Sequence, residues 1–328
     1  MYRNAFASSL LVLTLMGTTT ARADAASDAK LCEALAASPL DDQRPKDVPG
    51  VAFDKVDAAK AIPACKAALK SNPDNTRIMF ETARALSVGN QEPELQFSLY
   101  KKAADAGQAV AMQNLGNAYA QGIGTVADGV LAEKYFCLAA EKAIVLGMYS
   151  CGDSLSYGRA GHKNLVKGNE WFQKAADLGD AGSYAELGLS YRDGAGFAAD
   201  KAKAVAMFQK AADLGNTNGM RFLAREYALG EAVGKDLTKA TALYEQAIAA
   251  GNTSATIDIG NDYENGRLGP KDLTKALAYY QKAADGGNSI GMYNVASMNA
   301  KGMGVPVDKT IAAKWYQKAA DLGAIPTP

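Results

Sequence analysis

The 328 residues carry 35 basic and 35 acidic side chains, so no large positive field is available for nucleic acid or an anionic membrane surface. Hydrophobic residues make up 48% and charged residues 21%, a balance that excludes a disordered chain. Glycine is plentiful at 32 residues, which suits helices packed close together.

Residues 1–23 read as processing rather than fold. Arg3 gives a short basic start, residues 5–16 are apolar but too short to span a bilayer, and the stretch ends Ala21-Arg22-Ala23, an A-x-A cleavage pattern. Cleavage there releases a chain beginning at Asp24. No cysteine follows at a lipidation distance, so the expectation is a soluble periplasmic or secreted protein with no membrane span. Residues 24–56 form a non-repeating head: a short helix over 27–37, then Pro39, Pro45 and Pro49 against regular structure, then an extended piece over 50–53.

Residues 57–108 form divergent helices. The stretch 57–70 is helical in pattern, with Pro63 restricting where the first turn lies. Further helices are predicted over 76–88 and 93–106, with Pro93 at a first helical position. From there one unit recurs. Lys102-Ala103-Ala104, Lys174-Ala175-Ala176, Lys210-Ala211-Ala212, Lys282-Ala283-Ala284 and Lys318-Ala319-Ala320 lie 36 residues, or multiples of 36, apart. A fixed period of this length marks a solenoid. Each unit over 109–323 has a first helix, as at 109–121, and a second, as at 130–142. Counting the worn pair over 76–106 gives seven helix pairs, followed by a short tail over 324–328.

The constant positions have packing reasons. Met112, Leu115, Gly116 and Tyr119 share one face of the first helix. The slot of Gly116 is Gly152, Gly188, Ala224, Gly260 and Ala296 in later copies, never larger than alanine. A glycine inside a helix costs roughly 0.5–1 kcal/mol, so its recurrence implies that a neighbouring helix passes close by. In the second helix the doublets Tyr135-Phe136, Tyr279-Tyr280 and Trp315-Tyr316 are expected to place one ring in the core and one against the next repeat. Gly122-x-Gly124, Gly194-x-Gly196 and Gly302-x-Gly304 end first helices. Asp128, Asn164, Asp200, Asp236, Asp272 and Asp308 stand where a side chain caps the second. The loop after Gly158 diverges. At the last repeat, Asn299 replaces the tyrosine and no further helix is predicted, which leaves an apolar flank at Trp315 open to weak self-association.

There are four cysteines. Cys32 and Cys65 lie in or beside the head and are expected to staple it. Cys137 and Cys151 flank the bend between successive helices. Antiparallel packing favours a bridge, but Cys137 stands in the slot of polar Gln173, Gln209, Gln281 and Gln317 while Cys151 stands in the apolar slot of Leu115, Leu187 and Leu223, so one pointing out and one in is the competing reading.

The stretch 111–124, with Asp272, Lys275-Ala276, Tyr280 and Lys282-Ala283-Ala284 of a later copy, resembles the Sel1-like repeat, a relative of the tetratricopeptide repeat. The opening of the head is similar to that of exported Gram-negative members. The resemblance covers 109–323 strongly and 57–107 weakly, and departs from the pattern at Leu155, Asn299 and the loop after Gly158. It implies an all-α, right-handed α/α solenoid and a non-enzymatic scaffold that binds a polypeptide in the cell envelope. Cysteine-rich relatives that act on β-lactams carry cysteines once per helix pair; here the cysteines do not follow that rule, and the activity is not carried over.

Catalytic signals are weak. The Gly-x-Gly loops follow helices and lack a lysine-serine ending, so they turn helices rather than hold phosphate. His162 has no partner in a triad-like pattern, Ser154 and Ser156 have no nucleophile-elbow context, and no cofactor or metal set is apparent. What varies is one face of the first helix. One row is Gln113, Tyr149, Ala185, Arg221, Ile257 and Tyr293. Its neighbour one turn on is Asn117, Asp153, Leu189, Arg225, Asn261 and Ser297. The candidate partner-binding residues are Gln113, Asn117, Tyr149, Asp153, Arg221, Arg225, Asn261 and Tyr293, with Arg221 and Arg225 placed to receive a carboxylate. The alternative function is an envelope glycan-binding module or hydrolase, which needs a cavity with a close pair of carboxylates.

Overall fold

A computed structural model describes residues 26–41 and 43–323. The leader expected over 1–23 and the tail expected over 324–328 lie outside the described residues. The chain divides between Trp171 and Phe172 into two compact units. Among the described residues every regular element is helical, and none is long and apolar enough to cross a membrane.

Unit 1 opens with α1 (26–36), a 3-10 turn at Phe53–Lys55, α2 (Ala58–Ser71), α3 (Thr76–Gly89) and α4 (Pro93–Asp105). It continues with α5 (Ala109–Gln121), α6 (Gly129–Glu141) and α7 (Val145–Tyr157); α8 (Leu165–Asp177) begins in it. Unit 2 holds α9 (Ala181–Asp193), α10 (Lys201–Asp213), α11 (Thr217–Leu229), α12 (Leu237–Ala249), α13 (Thr253–Glu264), α14 (Leu273–Asp285), α15 (Ser289–Lys301) and α16 (Lys309–Asp321). Within each unit consecutive helices pack on one another, the all-α solenoid arrangement that the 36-residue period predicts.

The local devices repeat with the period. Asp128, Asp200, Asp236, Asp272 and Asp308 accept bonds from the first backbone N–H groups of their helices, and Asn164 does the same for Lys167. Each of these residues also donates its own N–H to a first-helix carbonyl: Asp128 to Tyr119, Asp236 to Tyr227, Asn164 to Leu155 and Asp308 to Asn299. That bond is purely backbone, which is why Leu155 and Asn299 can replace the tyrosine without opening the turn.

The glycine slot is filled from the same helix pair, by a ring. A Cβ built on Gly116 would stand 2.5 Å from Phe136 Cδ1; on Gly188, 2.4 Å from Phe208 Cε1; on Gly260, 2.7 Å from Tyr280 Cε1. Burying each ring contributes about 1.5–3 kcal/mol and offsets the glycine's own cost. The expectation for the doublets needs correction. Tyr135 and Phe136 are both buried, and Tyr135 stacks on Tyr119 of its own pair at 5.7 Å, as Tyr279 does on Tyr263 at 5.8 Å. Tyr279 also donates to Glu245 of the preceding pair, so the first ring of that doublet meets the repeat before it rather than the next one; successive pairs meet as well where small residues allow it. A Cβ on Gly147 would lie 2.8 Å from Ala139 Cβ, on Gly219 2.4 Å from Ala211 Cβ, and on Gly291 2.7 Å from Ala283 Cβ. This is the physical reason for the repeated Ala-Ala. The second loop glycine has a similar cause: a Cβ on Gly124 would sit 2.0 Å from the carbonyl oxygen of Pro93, the first residue of α4. One repeat later the loop carries Ala160 instead, and the glycine has moved to the helix start: Gly129 lies against the Arg159 carbonyl, 2.3 Å from where its Cβ would be.

Pro63 does not define the first turn of α2 but sits inside the helix. The lost backbone bond is tolerated in a helix whose Ala61, Ile62, Cys65 and Ala68 are buried. Both disulfides form. Cys32–Cys65 ties α1 to α2, and Cys137–Cys151 ties α6 to α7 across Cα atoms 4.9 Å apart. The slot of Cys137 therefore faces the next helix closely enough to bridge. Arg84 holds the head by donating to the carbonyls of Ala36, Ala37 and Val51, and Arg77 pairs with Glu33. Between them Glu81 is fully buried, with Arg77 Nε 3.9 Å away.

Candidate functional site

The variable row is not uniformly free. In unit 1, Gln113 is buried and its Nε2 donates to Ser150 Oγ at 3.1 Å. Asn117 and Tyr149 are half-buried, and Asp153 is held by Arg159. In unit 2, Tyr293 packs edge-on to Tyr316 at 5.3 Å in the last core cluster. Asn261 Oδ1 lies 2.6 Å from the Tyr280 hydroxyl, which shares its one proton between Asn261 and Glu264. Arg221 already has its carboxylate: Nη1 stands 3.0 Å from Asp258 Oδ2, with the guanidinium 4.4 Å over the Phe222 ring. Arg221 and Arg225 therefore differ in kind. Arg225 is exposed and makes no hydrogen bond or ion pair among the described residues.

Arg225 lies between two cavities at the first helices α9, α11 and α13, completed by Lys201 of α10 and Tyr244 of α12. One, of 260 Å³, is lined by Arg225, Tyr244, Asp258, Asn261, Asp262 and Arg267, with Asn265 beside them. Asp262 accepts from the Tyr244 hydroxyl at 2.9 Å and pairs with Arg267 at 2.9 Å. Burial raises Asp258 above the usual carboxylate range, and the Arg221 charge opposes this. Burial likewise raises Tyr244, keeping its phenol protonated as a donor. The other cavity, of 350 Å³, includes Arg192, Lys201, Glu226 and Glu231. Arg192 pairs with Asp193, and Lys201 with Glu231. Glu226 is raised by burial first, while Arg192 and Arg225 pull it back. The surface thus alternates in sign, most charges are answered internally, and one guanidinium is left over. Asp258, Asp262 and Arg267 are absent from the sequence-predicted set. Asp258 and Asp262 stand one turn apart on α13 and share a cavity with Arg225, a relation between neighbouring repeats that no single row of positions contains.

One cluster tests the enzyme reading. Ser154 Oγ donates to Glu133 Oε2 at 2.8 Å, and His162 Nε2 is 3.2 Å from Glu133 Oε1. The carboxylate stands between serine and histidine, so the imidazole cannot take the serine proton, and Ser154 is buried. Among the described residues no group of histidine, cysteine, aspartate or glutamate could hold a metal ion.

The Sel1 repeat model matches residues 97–108, 109–143, 145–180, 181–216, 217–252, 253–288 and 289–323. The chain belongs to the Sel1 repeat family. Members are helical scaffolds that generally serve as protein-interaction modules. The chain is similar to c5321, a protective antigen of uropathogenic Escherichia coli strains with an SLR fold, at 33% identity and a TM-score of 0.60. The match covers 82% of this chain and 58% of that one, so the chain spans less than two thirds of that relative. A Sel1 repeat protein of Oxalobacter formigenes is similar in fold, with TM-score 0.64, 22% identity, and 74% and 96% of the two chains covered. Yeast Tom70 shares the fold at TM-score 0.55 and 18% identity over 89% of this chain and 60% of that one. No curated protein matches the chain.

Proposed function

We propose that this Sel1 repeat protein is a non-enzymatic scaffold of the bacterial envelope, periplasmic or secreted, that binds a polypeptide through the first-helix face of unit 2. The observation that supports it is Arg225. It is an exposed guanidinium that makes no hydrogen bond or ion pair among the described residues, on a face where most neighbouring charges are already paired. An acidic side chain of a partner meets an unsatisfied donor there without breaking an internal pair. The internal pairs keep surrounding side chains fixed, which lowers the ordering cost of binding. Two disulfides, and the leader-like stretch before Asp24, support export.

The test is affinity capture from envelope and culture-supernatant fractions with oxidised protein, parent beside Arg225→Glu, and mass spectrometry of what elutes. A polypeptide held by the parent and released by the variant is the expected result; the same proteins on both would sink the reading. The glycan alternative has one observation in its favour, since Asp258 and Asp262 line one cavity. Both are engaged, by Arg221 and by Tyr244 with Arg267, so neither is a free proton donor or acceptor. Retention of wall polymer without turnover would move the assignment to glycan binding.

A further inference from the structure

A third cavity, of 290 Å³, lies within unit 1, where the head meets α3, α5 and the start of α7. It differs from the charged face in every respect that matters for a ligand. Its walls include Phe80, Val110 and Ile144, and its rim carries Leu40, Phe53 and Leu146, exposed at 60%, 53% and 48%. Large apolar side chains left this open around a concave site mark a binding surface. Its polar lining is small and specific. Arg84 is buried, and its hydrogen bonds go to main-chain carbonyls only. It forms no ion pair among the described residues; buried Glu81 acts on its charge from a distance, and no carboxylate is in contact with the guanidinium beside the apolar walls. Asn114 and Asn117, one turn apart on α5, make no hydrogen bond among the described residues. Gln113 uses one amide atom on Ser150, and its other amide atom is buried without a partner. If the amide turns over, the Ser150 hydroxyl donates to its oxygen and the N–H₂ is freed for the cavity.

A cation with no carboxylate in contact and amide donors inside an apolar cavity call for an anion attached to an apolar group. At 290 Å³ the space lies at the small end of ligand sites, room for a small molecule rather than a peptide segment. We propose that this cavity binds a small carboxylate bearing an aliphatic or aromatic group, with the carboxylate on Arg84 and the Asn114 and Asn117 amides and the apolar group against Phe80 and Val110. The site is independent of the Arg225 face.

The test uses the full oxidised protein, with octanoate and 3-phenylpropionate as probes and their amides as neutral controls, read by calorimetry and thermal melting. Both acids are expected to raise the melting temperature saturably, with the amides at least about tenfold weaker. Asn117→Leu should weaken the acids about tenfold, and Leu146→Trp at the exposed rim should block them, each variant melting like the parent without ligand. Arg225→Glu should change nothing, which separates this proposal from the scaffold reading. Equal binding of acid and amide, binding unaffected by both cavity variants, or no binding at about 10 mM would overturn it. A polypeptide lost in Leu146→Trp, with no acid bound, would assign the cavity to a protein and overturn it equally.

Discussion

Replacing Glu81 by glutamine tests how the head is held. Glu81 has no exposed surface, its Oε1 has no hydrogen-bond partner, and its nearest cation, Arg77 Nε, is 3.9 Å away. Burial pushes its carboxyl up to about 8; Glu33 and, more weakly, Asp41 push the same way, and Arg77 and Arg84 oppose them. The native state therefore binds this proton more tightly than the unfolded chain, whose value is 4.5. Its contribution to stability is complete below the unfolded value and is lost as pH rises through about 8. At about 1.4 kcal/mol per unit, the loss is on the order of 3 kcal/mol by pH 7 and 5 kcal/mol by pH 9. Local opening of α1, still tethered through Cys32–Cys65, sets the ceiling. Glutamine keeps the shape and has no proton to lose. Urea unfolding at pH 5, 7 and 9, with amide exchange in α1, should show the parent weakening with pH and Glu81→Gln changing far less. Equal slopes in the two proteins would refute the reasoning, because Glu33, Asp41 and the arginines remain in both.

Gly188→Leu drives a side chain into the Phe208 ring and should cost roughly 1–3 kcal/mol in a thermal or urea melt; Phe208→Ala in the same chain should recover part of the loss, and no recovery would mean the ring is not the obstacle. Opening Cys137–Cys151 by a double change to serine releases a 14-residue loop constraint and should cost about 3 kcal/mol, with helicity retained. Arg225→Gln should leave melting within about 0.5 kcal/mol of the parent, since the side chain makes no internal hydrogen bond or ion pair; a larger loss would show that it is structural and weaken the binding assignment.

The period, the helix pairs, the caps and the small-residue slots were legible in the sequence because each is local or recurs at one interval. A cap needs only a residue and the three that follow it, and a glycine repeated at one register position announces a close approach whatever approaches. The small slot of Ala111, Gly147, Ser183, Gly219, Ala255 and Gly291 is equally visible in the sequence, and it marks where successive pairs touch. The exchange of glycine between Gly124 and Gly129 was legible only afterwards, since it needs the knowledge that a loop meets the preceding helix start.

Tertiary structure decided the candidate site. Arg221 and Arg225 look alike in sequence, one turn apart on one face. Only the packing of α13 beside α11 puts Asp258 within reach of the first and leaves the second unpaired. Whether a charge is spent or available depends on a residue about one repeat away along the chain, and no periodicity reports that distance. The same holds for the cavity under the head, where α3, α5 and the segment before α7 converge on Arg84. Sequence thus determined what repeats, because repetition carries its own packing rule; tertiary structure decided which polar groups remain unsatisfied, because satisfaction is a property of neighbours.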